Sequence, residues 1–187
     1  MLSIKPSVSS VRYSALTNYV LYQAGWFACI LGGAWNLPLA GFAVATGLIA
    51  VHVFLSQDRT TELRLIALAV VVGLVIEIVQ LRAGTYRMTS GTLVEKLPPL
   101  WMLALWAQFA TTFRFSLRSI LARPGVAVVF GLVGAPLAFL AGERLGALTL
   151  LPPLTFGLER LAVCWGAAMF LFSIAVRRVP ATSGYRQ

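Results

Sequence analysis

Glu77 is the residue of this chain best placed to do chemistry, because it is a carboxyl inside an apolar run. That run, Leu63 to Leu81, is rich in Val, Ile and Leu. An ionisable group inside such a run costs ~2.5–3.5 kcal/mol on membrane-insertion scales, so its presence needs a reason. Glu77 lies four residues from the end of the run, or ~6 Å along a helix. From there it either snorkels to water or faces the interior of a bundle. An interior carboxyl can hold a proton, a cation or a substrate hydroxyl.

Two arginines sit where they could join it. Arg144 and Arg160 each stand beside an acid, Glu143 and Glu159, and Arg82 follows Glu77 by about a turn. They form either a charge cluster at one mouth of a bundle, able to hold a lipid head group, or solvated pairs at helix ends. His52 is the only histidine. It either handles a proton with Glu62 or Asp58 or bonds a backbone carbonyl at the interface. Asn18, Tyr22 and Trp26 recur at helical spacing on one face, with Gln23 beside them. Gln108, Thr111 and Thr112 are further polar groups in an apolar run. Such groups commonly hydrogen-bond between membrane helices. The candidate ligand contacts are therefore Asn18, Gln23, His52, Glu77, Arg144 and Arg160, and the candidate catalytic group is Glu77. No metal or cofactor is expected, because Cys29 and Cys164 stand apart inside apolar runs and no HExxH or HxxxH pattern occurs. Phosphate-loop, dinucleotide and serine-hydrolase signatures are missing too.

The elements that must position these residues follow from composition. Of 187 residues, 59% are hydrophobic and 11% charged. A soluble domain is about 45–50% apolar and about 25% charged. Too little polar surface is available for a water-soluble fold of this size, and disorder is excluded on the same grounds. Six apolar runs predict an all-α, polytopic membrane bundle of six transmembrane helices. They are Thr17 to Trp35, Leu37 to Leu55, Leu63 to Leu81, Pro98 to Leu117, Pro124 to Gly142 and Leu158 to Val176. Pro136 should kink the fifth. Residues 56–62 and 82–97 read as loops. The segment 146–156 is apolar but too short to cross, so it reads as interfacial or re-entrant. Residues 1–16 form an N-terminal segment ahead of a signal anchor, 17–176 one domain, and 177–187 a basic tail. Small residues at Gly134, Ala138 and Gly142, and at Ala162 and Gly166, suggest close helix packing. Trp35, Trp101 and Trp106 read as interfacial anchors.

The net charge of +9 reflects topology. Six spans put ten Lys and Arg on the side of the termini and five on the other. That bias places both termini in the cytoplasm. The basic residues lie between apolar runs, where they meet anionic lipid and not nucleic acid.

The stretch Asn18 to Val176 resembles a bacterial inner-membrane family of unknown function, domain of unknown function 2878. The resemblance rests on Asn18 with Gln23-Ala24-Gly25-Trp26, on His52 and Glu62, and on Trp101 to Trp106 before Phe109-Ala110. It is strongest in Gly134 to Gly142 with Leu145-Gly146-Ala147. The family's pattern has an aspartate at the place of Glu77, which keeps an acid there. It often has His and Tyr where this chain has Phe115 and Phe139, so a proton donor at those places is lost. The resemblance implies a multi-pass protein of the bacterial inner membrane. It also implies association with lipid-modifying gene sets of the cyclopropane fatty-acid type. Three functions are open on this reading. The first is a non-catalytic protein that binds or moves a lipid-like or small apolar ligand, or supports a lipid-modifying enzyme. The second is a lipid-acting enzyme using Glu77. The third is a proton- or cation-coupled transporter.

Overall fold

A computed structural model describes residues 15–179. Most of the N-terminal segment 1–16, with Lys5 and Arg12, and the tail beyond Val179, with Arg186, lie outside the described residues. Among the described residues there are seven helices: α1 Ala15–Ala34, α2 Pro38–Leu55, α3 Arg59–Arg82, α4 Leu100–Ala110, α5 Arg118–Leu121, α6 Pro124–Arg144 and α7 Leu154–Arg177. The chain is a helical bundle of membrane type. Three of its helices, α2, α6 and α7, are long and apolar enough to cross a membrane. At 1.5 Å per residue, α1 and α3 extend ~30 and ~36 Å, also a bilayer's thickness.

The fourth apolar run departs from expectation. Its helix, α4, stops at Ala110 and does not reach Leu117. Eleven residues give ~16 Å, about half of what a crossing needs. The break has a local cause. The hydroxyls of Thr111 and Thr112 donate to the carbonyls of Gln108 and Phe109, at 2.7 and 2.6 Å. The backbone N–H groups of Thr111, Thr112 and Phe113 bond three residues back instead of four. Competition by short polar side chains loosens the α-helix there. The irregular backbone is tolerated because protein surrounds it: Trp106 through Phe113 are all buried. Trp101 and Trp106 are core residues, not interfacial anchors. Each indole N–H finds an acceptor, Trp101 at the Ser90 carbonyl and Trp106 at Glu77.

The loop expected over 56–62 is shorter than its polarity suggests. Asp58 accepts from the Thr61 backbone N–H at 3.2 Å and caps α3, which begins at Arg59. The segments expected to be a plain loop and an interfacial stretch hold two short strands, β1 Tyr86–Met88 and β2 Leu148–Leu150. They pair antiparallel, with Tyr86 opposite Leu150 and Met88 opposite Leu148. Gly84, Gly91 and Gly146 flank the pair with positive φ, a conformation glycine adopts at no steric cost.

Packing divides the helices. α1 and α2 form a tight hairpin in which the backbone of Gly41 meets that of Ala28 and Cys29. α3 and α2 pack on α4. α6 pairs with α7, where a Cβ on Gly131 would stand 2.5 Å from the Trp165 carbonyl. The strand pair and the α3–α7 contact join the two halves.

Candidate functional site

Glu77 faces the interior of the bundle and is fully buried. Its Oε1 accepts from Trp106 Nε1 at 2.9 Å, and its Oε2 accepts from the Tyr86 hydroxyl. Three elements, α3, α4 and β1, therefore meet on one carboxyl. The charge cluster foreseen with Arg144 and Arg160 is not assembled. Arg160 Nη2 donates to the Ala83 carbonyl and to Thr85 Oγ1, tying α7 to the end of α3. Glu143 Oε1 accepts from the Leu150 N–H at 2.8 Å and anchors β2. Arg144 and Glu159 are exposed.

A second polar group lies at the opposite end of the bundle. His52 Nε2 stands 3.1 Å from Glu62 Oε2, and Arg114 Nη1 reaches Glu62 Oε1 at 3.0 Å and Asp58 at 3.5 Å. His52 and Glu62 are buried, and Arg114 keeps only 9% of its side chain exposed. Asp58 is the solvated member. Hydrogen bonds from Thr61 hold its carboxyl below the usual carboxylate range, and the Arg114 and Arg64 charges add to this. Glu62 is one of the two acids the sequence offers as a partner for His52, and the structure pairs them; Arg114 did not figure among the sequence candidates, because it reads as a topological charge. The signal for Arg114 is its place between Phe113 and Phe115 inside the fourth apolar run.

Asn18 sits at this end too. Its Nδ2 donates to the Thr111 carbonyl at 3.0 Å, and its Oδ1 accepts from Ser116 Oγ at 2.8 Å. It closes the break after α4, a structural duty. Gln23 is half-buried on α1 and lines neither polar group. Among the described residues, no three His, Cys, Asp or Glu side chains come together to hold a metal.

Between the two polar ends lies a cavity of about 140 Å³. Tyr22 and Trp26 of α1 form one wall, and Gly134 and Ala138 of α6 the other. Trp106, Phe109 and Trp165 complete its lining. α1 packs on α2 and α4, while α6 packs on α7, so α1 and α6 do not pack helix against helix. Of the residues that line the cavity, Phe130 and Ala138 are exposed. The small-residue stripe of α6 thus serves two ends: a Cβ on Gly134 would meet only Phe130, at 3.9 Å, whereas Gly131 is pressed on α7. Glu77 does not line this space and stands behind Trp106.

The family model described as protein of unknown function (DUF2878) matches residues 15–171. No curated protein and no solved structure matches the chain.

Proposed function

We propose that this chain, which belongs to the DUF2878 family, is a non-catalytic protein of the bacterial inner membrane that takes an apolar, lipid-like molecule from the bilayer into the cavity between α1 and α6. One observation carries the reading: an almost wholly apolar cavity lined by α1 and α6, two helices of bilayer length, with Phe130 and Ala138 of its lining exposed at its mouth. A mouth there admits a molecule already dissolved in hydrocarbon. The volume of about 140 Å³ matches an apolar cavity of ~150 Å³ that holds benzene. It is below the ~300 Å³ of a drug-sized site. Part of a lipid enters and the rest stays between the helices and the bilayer.

A non-catalytic role is supported by Glu77, whose two oxygens are both engaged and which lies behind the cavity wall. On this reading α4 and the turn after it together make the fourth of six crossings. Both termini face the cytoplasm, as the bias of ten basic residues against five favours. A single cysteine in place of Arg87 should then react with a membrane-impermeant thiol reagent added from outside.

The test of the cavity is Gly134→Leu, which fills open space. Purified protein in detergent should bind decylbenzene, and the variant should lose that binding at least about tenfold, as filling a benzene-sized space requires. Unchanged binding in a folded variant would remove the cavity from consideration.

A further inference from the structure

We propose that the face of α7 carrying Glu159 and Arg160 is a head-group site for a bilayer phospholipid with a primary ammonium beside its phosphate. Arg160 takes the phosphate and Glu159 the ammonium. The site lies apart from the cavity between α1 and α6 and does not need the reading of that cavity.

Phe156, Glu159, Arg160, Val163 and Cys164 recur at helical spacing and line one open groove of about 380 Å³ along α7. α7 is one of the helices long and apolar enough to cross a membrane. The two charges do not stand at its tip. Leu154 and Phe156 come before them and are 45% and 63% exposed, and Val163 comes after them at 64%. Exposed apolar side chains on both sides mark the band of the helix that meets hydrocarbon. Glu159 and Arg160 are exposed too, so they stand at the edge of that band. A charge facing lipid is costly without a partner.

The protein satisfies these charges only in part. Arg160 Nη2 donates to the Ala83 carbonyl at 3.2 Å and to Thr85 Oγ1 at 3.0 Å. Thr85 is held in turn, since its hydroxyl donates to Gln80 Oε1 and its carbonyl accepts from the Leu151 N–H. The guanidinium is thus fixed in place before any lipid arrives. Both of its acceptors are neutral, and among the described residues its Nε and Nη1 donate to none. The Glu159 carboxylate has no hydrogen bond or ion pair among them either. A phosphate accepts from the remaining N–H groups of such a guanidinium. An ammonium, with three donors, pairs with the neighbouring carboxylate. A trimethylated head group has no N–H to offer Glu159. A glycerol head group brings no cation and leaves that carboxylate beside a phosphate. The apolar flanks favour a lipid over a soluble phosphate ester, because its chains can lie along Phe156 and Val163.

The experiment measures binding of three dioleoyl lipids to the full chain in detergent by native mass spectrometry. They are phosphatidylethanolamine, phosphatidylcholine and phosphatidylglycerol. The parent chain should prefer the ethanolamine lipid to each of the others by about three- to fivefold, the upper range of one exposed ion pair. Glu159→Gln removes a carboxylate with no partner in the protein, so the fold should not suffer. It should abolish the preference over phosphatidylglycerol. Arg160→Lys cannot hold Thr85, Ala83 and a phosphate together, and it should weaken all three lipids. Gly134→Leu fills the other cavity and should leave the preference as it is. Equal binding of the three lipids to the parent chain would overturn the proposal. So would a preference that survives Glu159→Gln, or binding of all three unchanged by Arg160→Lys. A preference lost in Gly134→Leu would place the lipid between α1 and α6 and overturn the α7 site. If decylbenzene fails to bind the α1–α6 cavity, that reading falls and the α7 site stands.

Discussion

The bundle buries two glutamates, one near each end, and treats them differently. Glu62 is 1% exposed and is held by an arginine and a histidine. Glu77 is 0% exposed and is held by two neutral donors, an indole and a phenol. At the first end, charge is matched by charge and the acid Asp58 shares Arg114 with solvent nearby. At the second, no cationic side chain among the described residues bonds the carboxyl, and Arg160 of α7 donates to Thr85 and Ala83. The contrast teaches that a carboxyl in an apolar helix need not be a site. Glu62 joins α3 to the turn after α4 by an ion pair with Arg114 and to α2 through its contact with His52, and Glu77 joins α3, α4 and β1 by hydrogen bonds. The aromatic-lined cavity between α1 and α6 touches neither.

The largest effect should come from breaking the ion pairs. Arg114→Met leaves Glu62 buried with His52 as its remaining partner, and removing one member of a buried pair costs about 3–5 kcal/mol. Unfolding in a detergent titration should show this loss. Adding Glu62→Gln to the same chain should recover at least half of it, because the uncompensated charge is then gone. No recovery would mean that Arg114 works by packing on its neighbours, and the contrast between the two ends would fail.

The matching substitution at the other end should do much less. Glu77→Gln is isosteric. Its amide oxygen accepts from Trp106, and the Tyr86 hydroxyl turns to accept from its amide, since a phenol both donates and accepts. The expected cost is within about 1 kcal/mol, the net worth of one ordinary hydrogen bond. Ligand binding in the cavity should persist. A loss as large as that of Arg114→Met would mean that the negative charge of Glu77 matters in itself, and would restore it as a functional acid.

Much of this architecture is written in local composition. The six apolar runs became the long helices and α4, with ends shifted by a few residues where Asp58 caps α3 and where Thr111 and Thr112 break α4. That Glu77 needs a partner was also legible. Which partner it has was not, because Tyr86 reaches it from β1, and β1 is held by a pairing with β2 some sixty residues away. Tyr86-Arg87-Met88 and Leu148-Thr149-Leu150 each alternate buried, exposed, buried. Three residues are too few for that alternation to stand out from an apolar background. The cavity was illegible for a different reason. Gly134 and Ala138 have the spacing of a packing face, and only the arrangement of α1 and α6 decides that a gap and not a helix lies opposite. Phe115 and Phe139 lie against His52 and Tyr86, one at each polar end.

The smallest effect concerns Asp58, the solvated rim of the charged end. Its folded carboxyl titrates below the usual carboxylate range, because Thr61 donates to it and Arg114 and Arg64 stand near. A depressed folded pKa makes a stabilising contribution that is complete above the unfolded value of ~3.9 and is lost as pH falls through the folded one. Asp58→Asn keeps a side chain that caps helices well but cannot titrate. Stability at neutral pH should change little, and the fall in stability below about pH 4 should become shallower than in the parent chain. Glu77→Gln provides the control, since the comparison gives it no share in that slope. If Asp58→Asn instead destabilises the chain at neutral pH as much as Arg114→Met does, the arginine depends on the exposed acid and not on the buried one. The charged end would then be a surface ion pair that happens to cover Glu62.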